Sequence, residues 1–304
     1  MLLFSGTSNQ PLAEKIAEEL KISLASSEIV RFADGEVRVR LLDDVKDEHM
    51  VVVQSLSQPG DSNLMELCQF AEIGKRKKAK KITAVIPYLA YARQHRAHRE
   101  GETIAVKLVA NFLKTAGFNE VMLLDLHEEE ALNYFKIPTL HLSAVETFSK
   151  YIDEHRDDFG GDDLIIVAPD RGRQKAAENL ASALEVNSAT VEKTRPLDQT
   201  DTVKECQLIG DVKNKEVIIY DDMISTGSTM LMAASCCLSQ GAFRANLMAT
   251  HGVFSHLEKN FWQNSAVEKI FVTDSVLVAE NKRFEKLEII SIAPLIARNL
   301  LNFV

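Results

Sequence analysis

Short, largely apolar runs recur along this chain, and between them the apolar residues switch to helical spacing. The runs at 50–54 (MVVVQ), 82–86 (ITAVI), 121–126 (VMLLDL), 165–168, 217–220, 247–250 and 270–273 are rich in β-branched and aliphatic residues at consecutive positions. A strand apolar on both faces has to be covered on both, which is the situation of a parallel sheet flanked by helices. In the stretches between, Leu12, Ile16 and Leu20 recur at spacings of four, with Asn9 placed to cap the helix and Pro11 in its first turn. Ile104, Leu108 and Leu113 mark a second helix that stops near Gly117, and Ala176, Leu180 and Leu184 mark a third. Strands alternating with helices predict an α/β fold.

A chain of 304 residues is long for one such unit and predicts two. The first set of strands and helices ends around Pro138 to Glu146, which divides the chain into residues 1–143 and 144–304. The apolar segment from Leu295 to Val304, after Pro294, predicts a terminal helix free to pack on either half. The net charge of −9 offers no footprint for bulk nucleic-acid binding, and no apolar run reaches the roughly eighteen residues of a membrane helix. Met1 to Phe4 is apolar, but Ser5-Gly6-Thr7 ends it at once and no basic stretch precedes it, so it does not read as a secretory leader. Cys68, Cys206, Cys236 and Cys237 lack metal or redox spacing, and adjacent Cys236 and Cys237 are poorly placed to bridge each other, so reduced thiols in a cytoplasm are expected. The basic run Lys75 to Lys81 has two readings, a nucleic-acid patch or a solvated helix C-terminus. The acidic balance of the whole chain favours the second.

The segment 217–229, VIIYDDMISTGST, carries the most chemistry. A buried strand delivers Asp221 and Asp222 at its carboxyl end, where open α/β sheets place their ligand crevice. Ser225, Thr226, Gly227, Ser228 and Thr229 then lead into a helix. Small hydroxyl residues around a glycine let N–H groups and side-chain hydroxyls converge on a phosphate, and the helix start adds partial positive charge. The carboxylates repel phosphate but suit sugar hydroxyls or a hydrated Mg²⁺. Together these features describe a sugar phosphate site. Ordinary strand-end and capping chemistry is the plain alternative, but a cap needs one hydroxyl, not four around a glycine. Neither a Walker nor a Rossmann glycine pattern is present.

This segment resembles the phosphoribosyl diphosphate (PRPP) loop shared by type I phosphoribosyltransferases and PRPP synthetases. Phe32-Ala33-Asp34-Gly35-Glu36, Asn63 to Leu67, Ile86 to Tyr88, Tyr91 to Gln94, Asp125 to His127, Pro169-Asp170 and Thr250 to Ser255 are similar to ribose-phosphate diphosphokinases, in the order of that family and over nearly the whole chain. The resemblance implies two phosphoribosyltransferase-type domains, each a mostly parallel sheet flanked by helices. It also implies transfer of the β,γ-diphosphoryl group of MgATP to the 1-hydroxyl of ribose 5-phosphate, giving PRPP and AMP. By the same resemblance, Ser225 to Thr229 hold the 5-phosphate, and Asp221, with Asp222 beside it, holds the ribose hydroxyls. Phe32, Asp34, Gly35 and Glu36 reach the adenine from a neighbouring subunit of a homo-oligomer. Arg93 and Gln94 contact ATP, His127 and Asp170 ligate magnesium, and Lys193 and Arg195 belong to a loop that closes on the transferring group, Arg195 also reaching the pentose phosphate.

The charges make such cations necessary. Each phosphate monoester carries about −1.5 to −2, and a pair of unit charges 4 Å apart near a surface is worth roughly 4 kcal/mol. Two phosphorylated substrates meeting on an acidic protein therefore need local cations and a metal. Lys193 and Arg195 lie two apart, so in extended chain both face the same way, although a solvated edge strand would show the same pattern. Taken alone, a histidine after a buried strand reads as structural, so His127 becomes a ligand only through the resemblance. His251 reads as structural.

Some segments depart from the family. Ser225 and Ser228 stand where many members have aspartate and a second glycine. Arg171-Gly172-Arg173 replaces the usual Val-Gly-Gly after the aspartate, its arginines either binding an anion or facing water. The segments 95–102 and 192–195 are more similar to the less regulated members, so ADP inhibition and phosphate activation of the usual kind, and a hexamer specifically, are not expected. Two other functions share the loop: a phosphoribosyltransferase that consumes PRPP, which leaves Phe32 to Glu36 and Arg93-Gln94 without purpose, and a non-catalytic synthetase-like subunit, which would be free to lose Lys193, Arg195, His127 and Asp170.

Overall fold

A computed structural model describes residues 1–193, 206–255, 257, 261 and 264–303. The chain folds as two compact units, one of residues 1–143 with 275–277 and 291–304, the other of residues 144–274 with 278–290. Each is an α/β unit with a mostly parallel sheet.

The first unit runs β1 (Leu2–Ser5), α1 (Gln10–Leu20), β2 (Ser27–Arg31), β3 (Val37–Leu41), β4 (His49–Val53), α2 (Gly60–Arg76), β5 (Lys81–Ile86), α3 (Ala105–Ala116), β6 (Glu120–Leu124) and β7 (Thr139–Leu142). Its five-stranded sheet has the order β1-β4-β5-β6-β7, parallel throughout. Asn9 caps α1 by accepting from the Leu12 N–H at 3.4 Å, with Pro11 in the first turn as the sequence predicts. Gly117, at φ 124°, ends α3. Phe4, Met50, Val52, Leu67, Phe70, Ile86, Val106 and Leu123 meet in one buried cluster. The basic run caps α2, with Lys75 and Arg76 in the last turn, where positive charge complements unsatisfied carbonyls. The hairpin of β2 and β3 is an addition that the strand–helix alternation does not predict.

The second unit contains α4 (Val145–Glu154), β8 (Leu164–Ala168), α5 (Gln174–Ala183), β9 (Asn187–Lys193), β10 (Cys206–Ile209), β11 (Glu216–Ile224), α6 (Ser228–Ser239), β12 (Arg244–Gly252), β13 (Ile270–Thr273) and β14 (Leu287–Ile290). The sheet order is β10-β9-β8-β11-β12-β13-β14, with β10 antiparallel to β9 and all other pairs parallel. Strand β9 lies on one side of β8 and β11 on the other, so the chain reverses direction across the sheet between them. Such a switch point opens a crevice at the carboxyl ends of the two strands. The terminal helix α7 (Ala293–Phe303) belongs to the first unit, where it packs on α1.

The cysteines differ from the expectation of four reduced thiols. Cys206 at the start of β10 and Cys236 in α6 form a disulfide, with Cα atoms 6.0 Å apart, while Cys68 and Cys237 remain thiols. Sequence spacing could not show this, because the two partners come together only when α6 packs on the β9–β10 end of the sheet.

Candidate functional site

The switch point sets the geometry. Strand β8 stays paired with β11 as far as Val167 opposite Ile219, then leaves the sheet at Pro169. Strand β11 runs on to Ile224, held by β12 on its other side. The side of β11 beyond Ile219 is therefore open to the turn that follows β8, and Asp221 and Asp222 lie on this exposed length of strand. Both carboxylates are largely shielded, with 14% and 6% of their side-chain surface accessible. The Asp222 N–H donates to Asp221 Oδ1 at 2.8 Å. Burial raises the Asp221 carboxyl well above its ordinary 3.8, and the neighbouring Asp222 carboxylate adds to the rise, while Arg173 opposes it.

Residues 225–229 form the turn from β11 into α6. Gly227 sits at the helix start with φ 82°, a left-handed conformation that favours glycine. Its α-carbon lies against the buried Phe261 ring, where a β-carbon would collide. The hydroxyls are organised among themselves: Ser225 Oγ meets Ser255 Oγ at 2.8 Å, and Thr226 Oγ1 meets Ser228 Oγ at 2.9 Å. The first bond of α6 runs from the Leu231 N–H to the Gly227 carbonyl, so the N–H groups of 228–230 have no carbonyl one turn back within the helix to bond. Hydroxyls, a helix start and shielded carboxylates thus share one crevice, suited to an anionic group carrying neighbouring hydroxyls.

Asp170 follows β8 in extended conformation, half-buried, and its carbonyl accepts from the Arg173 N–H at 3.2 Å. The arginines of this turn have different partners: Arg171 faces water, one of the two expected placements, and Arg173 does not. Arg171 is exposed and pairs with Glu192. Arg173 is turned inward, 3.8 Å from both Asp221 Oδ1 and Asp222 Oδ1. Local sequence does not show this arrangement, nor the pairing of Ser255 with Ser225 or the place of Phe261, because each partner comes from a segment distant in the chain. Of the two cations expected in a closing loop, Lys193 ends β9 with its backbone beside Cys206, while its side chain and the whole of Arg195 lie outside the described residues.

In the first unit, Phe32, Asp34, Gly35 and Glu36 form the tip of the β2–β3 hairpin. The Phe32 N–H donates to the Glu36 carbonyl at 2.8 Å, the Gly35 N–H donates to the Phe32 carbonyl at 2.9 Å, and Asp34 Oδ1 accepts from the Glu36 N–H at 3.1 Å. Gly35 has φ 93°. The Phe32 ring is 44% exposed, with the Arg38 guanidinium 5.4 Å above it. Arg93 and Gln94 are exposed on a turn stabilised by the Gln94 N–H to Tyr91 carbonyl bond of 2.8 Å. Tyr91, which the sequence reads as packing, also bonds Asp61 through its hydroxyl. His127 follows β6, half-buried, and His251 is buried in β12. Among the described residues, no three His, Cys, Asp or Glu side chains stand close enough to hold a metal ion by themselves. No helix among them is long and apolar enough to cross a membrane.

The fold defines an α/β protein with a crevice at the carboxyl ends of parallel strands. Comparison with known proteins narrows the class. Residues 1–117 match the N-terminal domain of ribose phosphate pyrophosphokinase, and residues 164–302 match the phosphoribosyl synthetase-associated domain. A ribose-phosphate pyrophosphokinase of Fusobacterium nucleatum is 40% identical over 290 residues, covering 95% of this chain and 90% of its own length. One from Aquifex aeolicus is 40% identical over 294 residues, covering 97% and 93%. The crystal structure of phosphoribosylpyrophosphate synthetase from Mycobacterium smegmatis superimposes with a TM-score of 0.90 at 35% identity, covering 99% of this chain and 98% of that one. The chain belongs to the ribose-phosphate pyrophosphokinase family.

Proposed function

We infer that the protein is a ribose-phosphate diphosphokinase, transferring the diphosphoryl group of ATP to the 1-hydroxyl of ribose 5-phosphate to give PRPP and AMP. The observation that carries this reading is the hydroxyl turn and carboxylate pair at the β8–β11 switch, in a chain related to such enzymes over nearly its whole length.

In this reading the N–H groups at the start of α6, with the hydroxyls of Ser225, Thr226, Ser228 and Thr229, hold the 5-phosphate. Asp221 and Asp222 accept hydrogen bonds from the ribose hydroxyls, which fixes the sugar ring and leaves the 1-hydroxyl as the attacking group. The nucleotide falls to the first unit, its adenine against Phe32 with Asp34, Gly35 and Glu36, and its phosphates near Arg93 and Gln94. The exposure of Phe32 at a hairpin tip supports a homo-oligomer in which this tip serves a neighbouring subunit's nucleotide. Lys193 and Arg195 stabilise charge on the transferring group.

The donor chemistry fits Mg²⁺. Asp170 in the second unit offers a hard oxygen and His127 in the first a weaker nitrogen donor, and an ion that keeps waters and takes most oxygens from substrate phosphates needs few protein ligands. When bound, Mg²⁺ would neutralise the nucleotide's phosphate charge.

Phosphorus NMR of the protein incubated with MgATP and ribose 5-phosphate tests the reaction. Equimolar AMP and a new anomeric diphosphate are expected. Formation of ADP instead, or no conversion by folded protein, overturns it.

A further inference from the structure

Of the features left unexplained by the roles above, the inward-turned arginine after β8 carries the most structure. We propose that Arg173 is a positioning residue, bridging Asp221 and Asp222 so that the two carboxylates stand ready as acceptors for the pentose hydroxyls. The proposal rests on the reading that these aspartates hold ribose.

Two neighbouring carboxylates shielded from water repel each other and need a compensating cation to stay charged and ordered together. Arg173 supplies it from a fixed point. Its backbone is anchored by the 3.2 Å bond to the Asp170 carbonyl, and its side chain keeps only 12% of its surface accessible. Nε stands 3.8 Å from Asp221 Oδ1 and Nη1 stands 3.8 Å from Asp222 Oδ1, so one planar group faces both acids. At 3.8 Å these two contacts act as coulombic attraction between one cation and two acids. The same Asp221 Oδ1 also accepts from the Asp222 N–H at 2.8 Å. A lysine would place a single point charge where two acceptors have to be served, so the fork is part of the argument. Arg171, two residues earlier, has no such role, since it points outward to Glu192.

The test is steady-state kinetics of Arg173→Ala, Arg173→Gln and Arg173→Lys, with Asp221→Asn and the parent as references. For the alanine and glutamine variants, KM for ribose 5-phosphate should rise about 10–100-fold, the scale of losing a charge-assisted contact. KM for ATP should stay within about twofold, and kcat should fall less than the ribose 5-phosphate KM rises. Lysine should restore part of the affinity. A merely structural arginine would lower the melting temperature without splitting the two KM values. An alanine variant with parental KM for ribose 5-phosphate overturns the proposal. If alanine fails to fold, the glutamine variant decides by the same criterion. If the parent shows no saturation by ribose 5-phosphate, or Asp221→Asn keeps the parental KM, the pentose reading itself fails and the proposal falls with it.

Discussion

The Phe261 ring fills the space that a side chain at residue 227 would need, so the turn into α6 is built around Gly227 from two directions at once. Its φ of 82° asks for glycine, and its packing leaves room for nothing larger. Gly227→Ala should cost at least about 1–2 kcal/mol from the left-handed backbone alone, and it should displace the ring that supports the turn. Urea unfolding and a ribose 5-phosphate titration on the same sample should both show the loss. Parental binding in this variant would mean that the turn does not seat the phosphate.

In the proposed reading Asp221 sets function against stability. Its carboxyl is raised well above the ordinary 3.8 by burial and by Asp222, so the folded protein binds this proton more tightly than the unfolded chain does. By linkage, the group's stabilising contribution is complete below 3.8 and is lost as pH rises towards the folded value. Asp221→Asn, which cannot ionise, should therefore melt higher than the parent near neutral pH, and the difference should shrink as pH falls towards 4. The same variant should bind ribose 5-phosphate poorly. Melting curves between pH 4 and 8 check the sign, and a variant less stable than the parent at neutral pH would contradict it.

Glu66 holds the entry of the first unit together. It is fully buried and accepts from the Thr7 N–H and hydroxyl at 2.7 Å each and from Gln54 Nε2 at 2.8 Å, with Arg31 at 3.9 Å. Glu66→Ala strands these donors and should cost about 3–5 kcal/mol, the range for breaking a buried charged network. Glu66→Gln, which keeps an acceptor, should cost less. Chemical denaturation would reveal either outcome, and a near-neutral alanine variant would deny the network its structural role.

The disulfide makes a separate prediction. Cys206 and Cys236 close a loop across a separation of 30 residues, which is worth about 3–4 kcal/mol by loop entropy. Reduction should lower the melting temperature accordingly. Burial pushes the Cys68 thiol up to about 11 and Cys237 up to about 12, so both should react slowly with alkylating reagents at pH 8 in the folded state. Protein unfolded without reductant should expose two thiols, and finding four would contradict the pairing.

Much of this architecture is legible in the chain itself. Apolar runs such as 165–168 and 217–220 become β8 and β11, because strands covered on both faces leave a continuous apolar signal. The Asn9 cap and the Gly117 stop act through neighbours in sequence and can be read there. The alternation of Val37, Val39 and Leu41 with Arg38 and Arg40 was also a readable signal for the hairpin strand β3, overshadowed by the stronger parallel runs. Arg173 was not legible. Nothing local distinguishes it from Arg171; only the placement of β8 beside β11 turns one inward and leaves the other outside. The Cys206–Cys236 pair and the Phe261 wall behind Gly227 are long-range for the same reason.

The most direct test is calorimetric titration of ribose 5-phosphate into the folded protein, set beside unphosphorylated ribose and a variant with Thr226, Ser228 and Thr229 changed to alanine. Saturable uptake of ribose 5-phosphate, strongly weakened in the variant and absent with plain ribose, is the predicted result. Uptake by the variant equal to that of the parent, or none by the parent with or without MgATP, would contradict a pentose phosphate seat at the start of α6.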